Sequence, residues 1–235
     1  MDDAGVQVKK YLVVAGNIGA GKSTLVQLLA DRLGYRPYFE PVAENPYLED
    51  FYTDMGRWAF HSQLYFLTHR LRSHHELASD PWSVVQDRSL YEDAEVFARN
   101  LHGQGHMSDR DWATYRGLYK ALAGLLPPPD LVIYLRCSVE TLKKRILMRG
   151  RGYEASIPDA YLEGLNSYYE EWLECFEPAP VLVVPGDRLD FVAESRHLNA
   201  IIESVEERLR DRQGSLFPVD MRSAPAGRRS DRSCI

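Results

Sequence analysis

Short apolar runs alternate with longer stretches of helical spacing along this chain. "YLVVAG" from Tyr11, "YRPYFE" from Tyr35, "WSVVQD" from Trp82, "LVIYLRC" from Leu131 and "VLVVPGD" from Val181 are rich in Val, Ile or Tyr. That composition suits buried strands. Between them apolar positions recur at helical intervals, as in Trp58, Leu64, Leu67 and Leu71. Strands alternating with helices predict βαβ units and a parallel sheet covered on both faces. Five such strands predict one α/β domain, placed at residues 1–212, with no internal repeat. From about Gln213 onward Gly, Pro, Ser and Arg replace the periodic pattern. Residues 213–235 are therefore expected to form a disordered tail.

The first turn of this pattern carries chemistry. Gly16 to Ser23 reads G-N-I-G-A-G-K-S, which satisfies G-x-x-x-x-G-K-S/T. It follows a predicted strand and opens the predicted helix "STLVQLLADRLG", the order a phosphate loop requires. Its glycines allow unusual dihedrals, so successive N–H groups can face one anion at a positive helix end. Gly16, Asn17, Ile18, Gly19, Ala20, Gly21, Lys22, Ser23 and Thr24 are thus expected to hold a nucleotide. Lys22 would reach its β- and γ-phosphates, and Ser23 would bind Mg²⁺.

Sheets of this kind bind ligands beyond the carboxyl ends of their strands. Glu40 ends the second run, just before Pro41, and is placed to take a proton from a hydroxyl; taken alone it would read as a surface residue. Asp87 ends the third run as a carboxylate near Mg²⁺, although Asp and Ser there also suit a helix cap. Arg88 follows and can grip a phosphate or a carboxylate in a two-pronged manner. Arg145 and Arg149 share a helix face, with Arg151 just beyond, as a lid over phosphates or as an ordinary solvated face. Gln63 and Arg70 lie two helical turns apart on an aromatic helix. They suit the edge of a nucleobase, or simply the wet side of the helix.

Composition narrows the partners. A net charge of -6 argues against a nucleic-acid polymer, whose phosphates call for a basic surface. No apolar run approaches the roughly 20 residues needed to cross a bilayer. The opening "MDDAGVQVKK" lacks the apolar centre of a secretory signal. Three widely spaced cysteines show neither metal-ligand spacing nor a disulfide framework. A cytoplasmic location is expected.

From Tyr11 to about Trp172 the chain resembles the deoxynucleoside kinase family. The likeness rests on "GNIGAGKST", "EPV" at Glu40, Phe51-Tyr52 with Arg57-Trp58 and Gln63, "DRS" at Asp87, and "RGRGYE" ending at Glu154. It implies a P-loop NTPase-type five-stranded parallel sheet with helices on both faces and a lid. It implies transfer of the ATP γ-phosphate to the 5′-hydroxyl of a deoxynucleoside. By position, Glu40 matches the general base, Arg88 the arginine holding that base, and Tyr52 with Glu154 the pair on the sugar 3′-hydroxyl. Gln63 matches the residue reading the base, Phe97 an aromatic stacking on it, and Arg145, Arg149 and Arg151 the lid. Arg70 and Asp93 match a charged pair in the branch taking deoxycytidine and purine deoxynucleosides, and "RGRGYE" points to a purine. Asp87 replaces the usual Glu. Ser62, where an aromatic is common, predicts a more polar or wider pocket wall. A homodimer is implied by resemblance alone. The rivals are a deoxycytidine-preferring kinase, a thymidylate-type monophosphate kinase and a non-catalytic nucleotide switch.

Overall fold

The computed structural model describes residues 8–40, 44–154 and 156–214. Pro41 and Val42 of "EPV", and all but the start of the expected tail, lie outside the described residues. The five apolar runs become five strands: β1 Tyr11–Gly16, β2 Arg36–Tyr38, β3 Val84–Asp87, β4 Leu131–Arg136 and β5 Val181–Pro185. Every neighbouring pair is parallel, in the order β2-β3-β1-β4-β5. This is a P-loop NTPase-type sheet.

The helices are α1 Lys22–Leu33, α2 Leu48–Thr53, α3 Met55–Ser79, α4 Leu90–Glu92, α5 Arg99–Gly103, α6 Asp109–Ala123, α7 Val139–Arg149, α8 Asp159–Cys175 and α9 Ser195–Gly214. A π-helical segment, Asp93–Ala98, joins α4 to α5. Their ends obey local chemistry. The Asp54 side chain accepts the Arg57 N–H at the start of α3. Gly34 and Gly150 stop α1 and α7 in the left-handed conformation.

The pleat divides the core. Tyr11, Val13 and Ala15 of β1 and Val132 and Tyr134 of β4 face a layer containing α3, the π-helical segment, α6 and α8. Leu12, Val14, Leu131, Ile133 and Leu135 face the opposite layer, chiefly α1 and α9. Both faces of β1 and β4 are covered, which is why these strands read as unbroken apolar runs.

One periodicity differs from expectation. Of Trp58, Leu64, Leu67 and Leu71, Leu67 alone is fully buried. The buried face of α3 instead runs through Ala59, Ser62, Gln63, Leu67, Arg70, His74 and Leu77. Turned inward, Ser62 pairs with Asn45 and Arg70 with Glu40 and Asp93, while the apolar side of the helix is left half-covered. Ile133 has no such compensation. Ile133→Ala should therefore lower stability by about 2–5 kcal/mol, read from the midpoint of chemical unfolding.

Candidate active site

The chain leaves β1 through a turn in which Gly16, Gly19 and Gly21 all take positive φ. At Gly19 a Cβ would lie 2.8 Å from the Leu142 carbonyl oxygen, so the site excludes any side chain. Gly21 caps α1 without a side-chain acceptor. The first N–H groups of that helix thus stay available to an anion. The Asn17 amide pins the turn by donating to the Leu162 carbonyl at 3.0 Å and to Asn166 Oδ1 at 2.8 Å. Lys22 Nζ lies back on the Asn17 carbonyl at 3.0 Å. Burial, then the charge of Arg88, lowers the Lys22 pKa to about 8.

Two carboxylates approach this turn from the strand ends. Asp87 Oδ2 accepts the Ser23 hydroxyl at 2.5 Å, while its Oδ1 is buried without a partner. An unsatisfied buried oxygen beside a hydroxyl fits a hydrated cation. Among the described residues no cluster of three His, Cys, Asp or Glu side chains could hold a metal unaided. A cation here would need oxygens from a ligand. Glu40 sits between two guanidinium groups. Arg70 Nη2 donates to its Oε1 at 2.7 Å, and Arg88 Nε lies 3.7 Å from Oε2. Burial pushes the Glu40 carboxyl up, but Arg88, Arg70 and Lys22 together outweigh it and hold it below its ordinary value.

Arg88 is the one non-glycine with positive φ, 64°, among the described residues. Such backbone strain persists only where the surroundings overdetermine it. Arg70 supplies the restraint. Its Nη1 donates to the carbonyls of Asp87 at 2.9 Å and Arg88 at 3.0 Å, and its Nε donates to Asp93 Oδ2 at 3.1 Å. The Arg88 guanidinium then lies 3.9 Å above the Phe97 ring. Burial pushes the Asp93 carboxyl up, against the pull of Arg70.

These groups border one narrow cleft of about 80 Å³. Ile18, Lys22, Ser23, Glu40, Tyr52, Gln63, Asp87, Arg88, Asp93, Phe97, Arg149, Arg151 and Glu154 all line it. Tyr52 stacks on Tyr153 with ring centroids 5.8 Å apart. Glu154 accepts from Arg149 and, at 3.2 Å, from Arg151. Arg70 stands behind the wall with its donors spent on protein. Ser62 adds no polar wall: it is fully buried and takes a hydrogen bond from Asn45 at 3.1 Å, away from the cleft. Phe66 and Leu48 fill the lining instead.

The deoxynucleoside kinase family model matches residues 12–210. The chain belongs to the deoxynucleoside kinase family. It is 36% identical over 215 residues to a deoxyadenosine/deoxycytidine kinase of Bacillus subtilis, covering 91% of this chain and 99% of that protein. It is 35% identical over 209 residues to a deoxyguanosine kinase of Lactobacillus acidophilus, covering 85% of this chain and 91% of that one. The solved structure of deoxyadenosine kinase from M. mycoides with bound dATP superposes with a TM-score of 0.74 at 32% identity, covering 84% and 99% of the two chains. The chain is an ATP-dependent phosphotransferase. Among its described residues no helix is long and apolar enough to cross a membrane.

The deoxynucleoside kinase has a second, wider cleft of about 800 Å³ on the other side of the phosphate loop. It shares Lys22, Ser23, Arg149 and Arg151 with the first, so the two compartments meet at the loop. Its far wall, Gly186 to Ala193, follows β5. The strand-end rule, applied in the sequence only through the fourth strand, reaches this wall when carried to the fifth. Arg145 borders this cleft alone, and its Nη groups donate to the Ala20 carbonyl at 2.9 Å and the Gly186 carbonyl at 2.8 Å. It ties the loop to the wall, apart from Arg149 and Arg151. Gly19→Ala would force a left-handed, crowded backbone costing about 1–2 kcal/mol. ATP binding by calorimetry should weaken by at least about tenfold, with the fold intact by circular dichroism.

Proposed function

We propose that the first cleft holds a deoxynucleoside, the second holds the donor ATP, and the phosphoryl group passes between them beside Lys22. The shared lining of the two clefts is the observation that carries this reading. A 5′-hydroxyl placed against Glu40 would face the phosphate loop directly. Glu40, ionised at neutral pH and oriented by Arg70 and Arg88, takes its proton as the bond to phosphorus forms. Loop N–H groups and Lys22 hold the donor phosphates, while Arg149 and Arg151 neutralise charge on the moving group. Arg145 acts on the donor side, through the loop and the wall after β5. Ser23, with Asp87 behind it, would hold Mg²⁺, which when bound supplies positive charge to the donor phosphates.

The acceptor is a purine deoxynucleoside, deoxyadenosine first. Gln63 offers a donor and an acceptor, and Asp93 offers an acceptor for an exocyclic amine. Phe66 and Phe97 supply apolar walls for a ring. Deoxycytidine also carries an exocyclic amine and is the runner-up, favoured by the two-substrate name of the Bacillus subtilis relative. Tyr52 and Glu154 hold the sugar 3′-hydroxyl, with Glu154 exchanging part of its arginine contacts for the sugar. A homodimer, carried over from the family resemblance, and a cytoplasmic location complete the reading.

Four deoxynucleosides offered with ATP and Mg²⁺ test this. The expected order of kcat/KM is deoxyadenosine above deoxycytidine, with thymidine weakest. Thymidine as the preferred acceptor would remove Asp93 from base reading. A preference for thymidine monophosphate would overturn the nucleoside assignment itself. Glu40→Ala should lower kcat by about two to four orders of magnitude while calorimetry shows ATP still binding. Near-normal turnover would take the base role from Glu40.

A further inference from the structure

Behind the phosphate loop lies a carboxyl group that the mechanism does not use. Glu92, at the end of α4, is fully buried. Its Oε2 accepts the Ser89 N–H at 2.9 Å and the Ser89 hydroxyl at 3.3 Å. Its Oε1 lies 2.8 Å from the Tyr169 hydroxyl oxygen and 3.2 Å from the Gly16 nitrogen. The same Tyr169 hydroxyl lies 2.7 Å from the Gly16 carbonyl oxygen.

The protons in this cluster can be counted. Tyr169 has one hydroxyl proton, yet two oxygens stand at full hydrogen-bond distance from it. Contacts of 2.7 and 2.8 Å are too short for one shared proton, so each requires its own. A peptide carbonyl carries none, so Tyr169 must donate to Gly16. The proton on the other contact can come only from Glu92. We propose that Glu92 stands as a neutral carboxylic acid, protonated on Oε1, and is a positioning residue that fixes the phosphate loop through Tyr169.

Two further observations agree. Of the two backbone N–H contacts, the one from Gly16 to Oε1, 3.2 Å, is longer than the one from Ser89 to Oε2, 2.9 Å, as suits a hydroxyl oxygen at Oε1 and a carbonyl oxygen at Oε2. Burial also pushes the Glu92 carboxyl up, against the opposing pull of Arg88 and Lys22. Tyr11 on β1 and Tyr169 on α8 face it as phenols, both kept from ionising chiefly by burial. The neutral form leaves the loop's positive potential undiminished where an ionised carboxylate would oppose a triphosphate. It also links the turn next to Asp93, on the acceptor side, to the first residue of the loop.

The inference rests on the reading that the loop holds the donor phosphates, so one arm of its test is independent of turnover. Infrared difference spectra of the full chain against Glu92→Gln should show a protonated-carboxyl stretch at neutral pH that the variant lacks; no such band overturns the proposal. In kinetics, Glu92→Ala and Tyr169→Phe should each raise the ATP KM by about tenfold, with a smaller change for the deoxynucleoside. Glu92→Gln presents an N–H where the acid presents its O–H, and should rescue the ATP KM to within about threefold of the parent. Thermal midpoints give the sign. A carboxyl whose folded pKa is raised contributes stability below its unfolded value, about 4.3, and loses it as pH rises through the folded value. The parent should therefore lose ground to Glu92→Gln as pH increases. A Gln variant as impaired as the Ala variant, or one that does not fold, would mean that Glu92 is ionised and would sink the proposal. A band present with unchanged ATP KM in Glu92→Ala would leave the proton standing and overturn the positioning role.

Discussion

Arg70 is a permanent cation with almost no water around it, and a lone buried guanidinium would cost several kcal/mol. The structure accommodates it by bringing four acceptors to one place: Glu40, Asp93 and the carbonyls of Asp87 and Arg88. They come from three separate parts of the chain. Satisfying one charge therefore aligns the end of β3, the chain after β2 and the start of the π-helical segment. The strained Arg88 backbone is one product of that alignment, and the placement of Glu40 beside the phosphate loop is another.

The same logic orders the phosphate loop with neutral groups. The phosphate loop is held from behind by Asn17, which bonds to Leu162 and Asn166 of α8, and by Tyr169 and Glu92 at Gly16. Charge is concentrated along the first cleft, at Lys22, Arg88, Arg149 and Arg151. It is kept low behind the loop, where it would weaken anion binding. Family membership agrees with this division, since phosphoryl transfer asks a protein mainly for position and electrostatics.

Much of the fold was legible because its signals are local. The five strands announced themselves as apolar runs, and the phosphate loop is a contiguous motif whose glycines answer to backbone geometry. Gln63 and Arg70 were correctly placed on one helix face by spacing. Which way that face turned was not readable: the apolar residues Trp58, Leu64 and Leu71 suggested the opposite side. Ser62 misled for the same reason, because its partner Asn45 lies in a loop whose course no periodicity describes. Arg145 looked like its neighbours Arg149 and Arg151 in sequence, yet it is committed to two carbonyls.

The sequence by itself determined the sheet and the phosphate loop, because strand periodicity and a glycine-rich turn depend on neighbours along the chain. Tertiary structure alone decided which charges meet. Arg70 and Glu40 are 30 residues apart and Tyr169 and Glu92 are 77 apart. The protonation of a buried group depends on the donors and acceptors that folding brings around it, and no stretch of sequence contains them together.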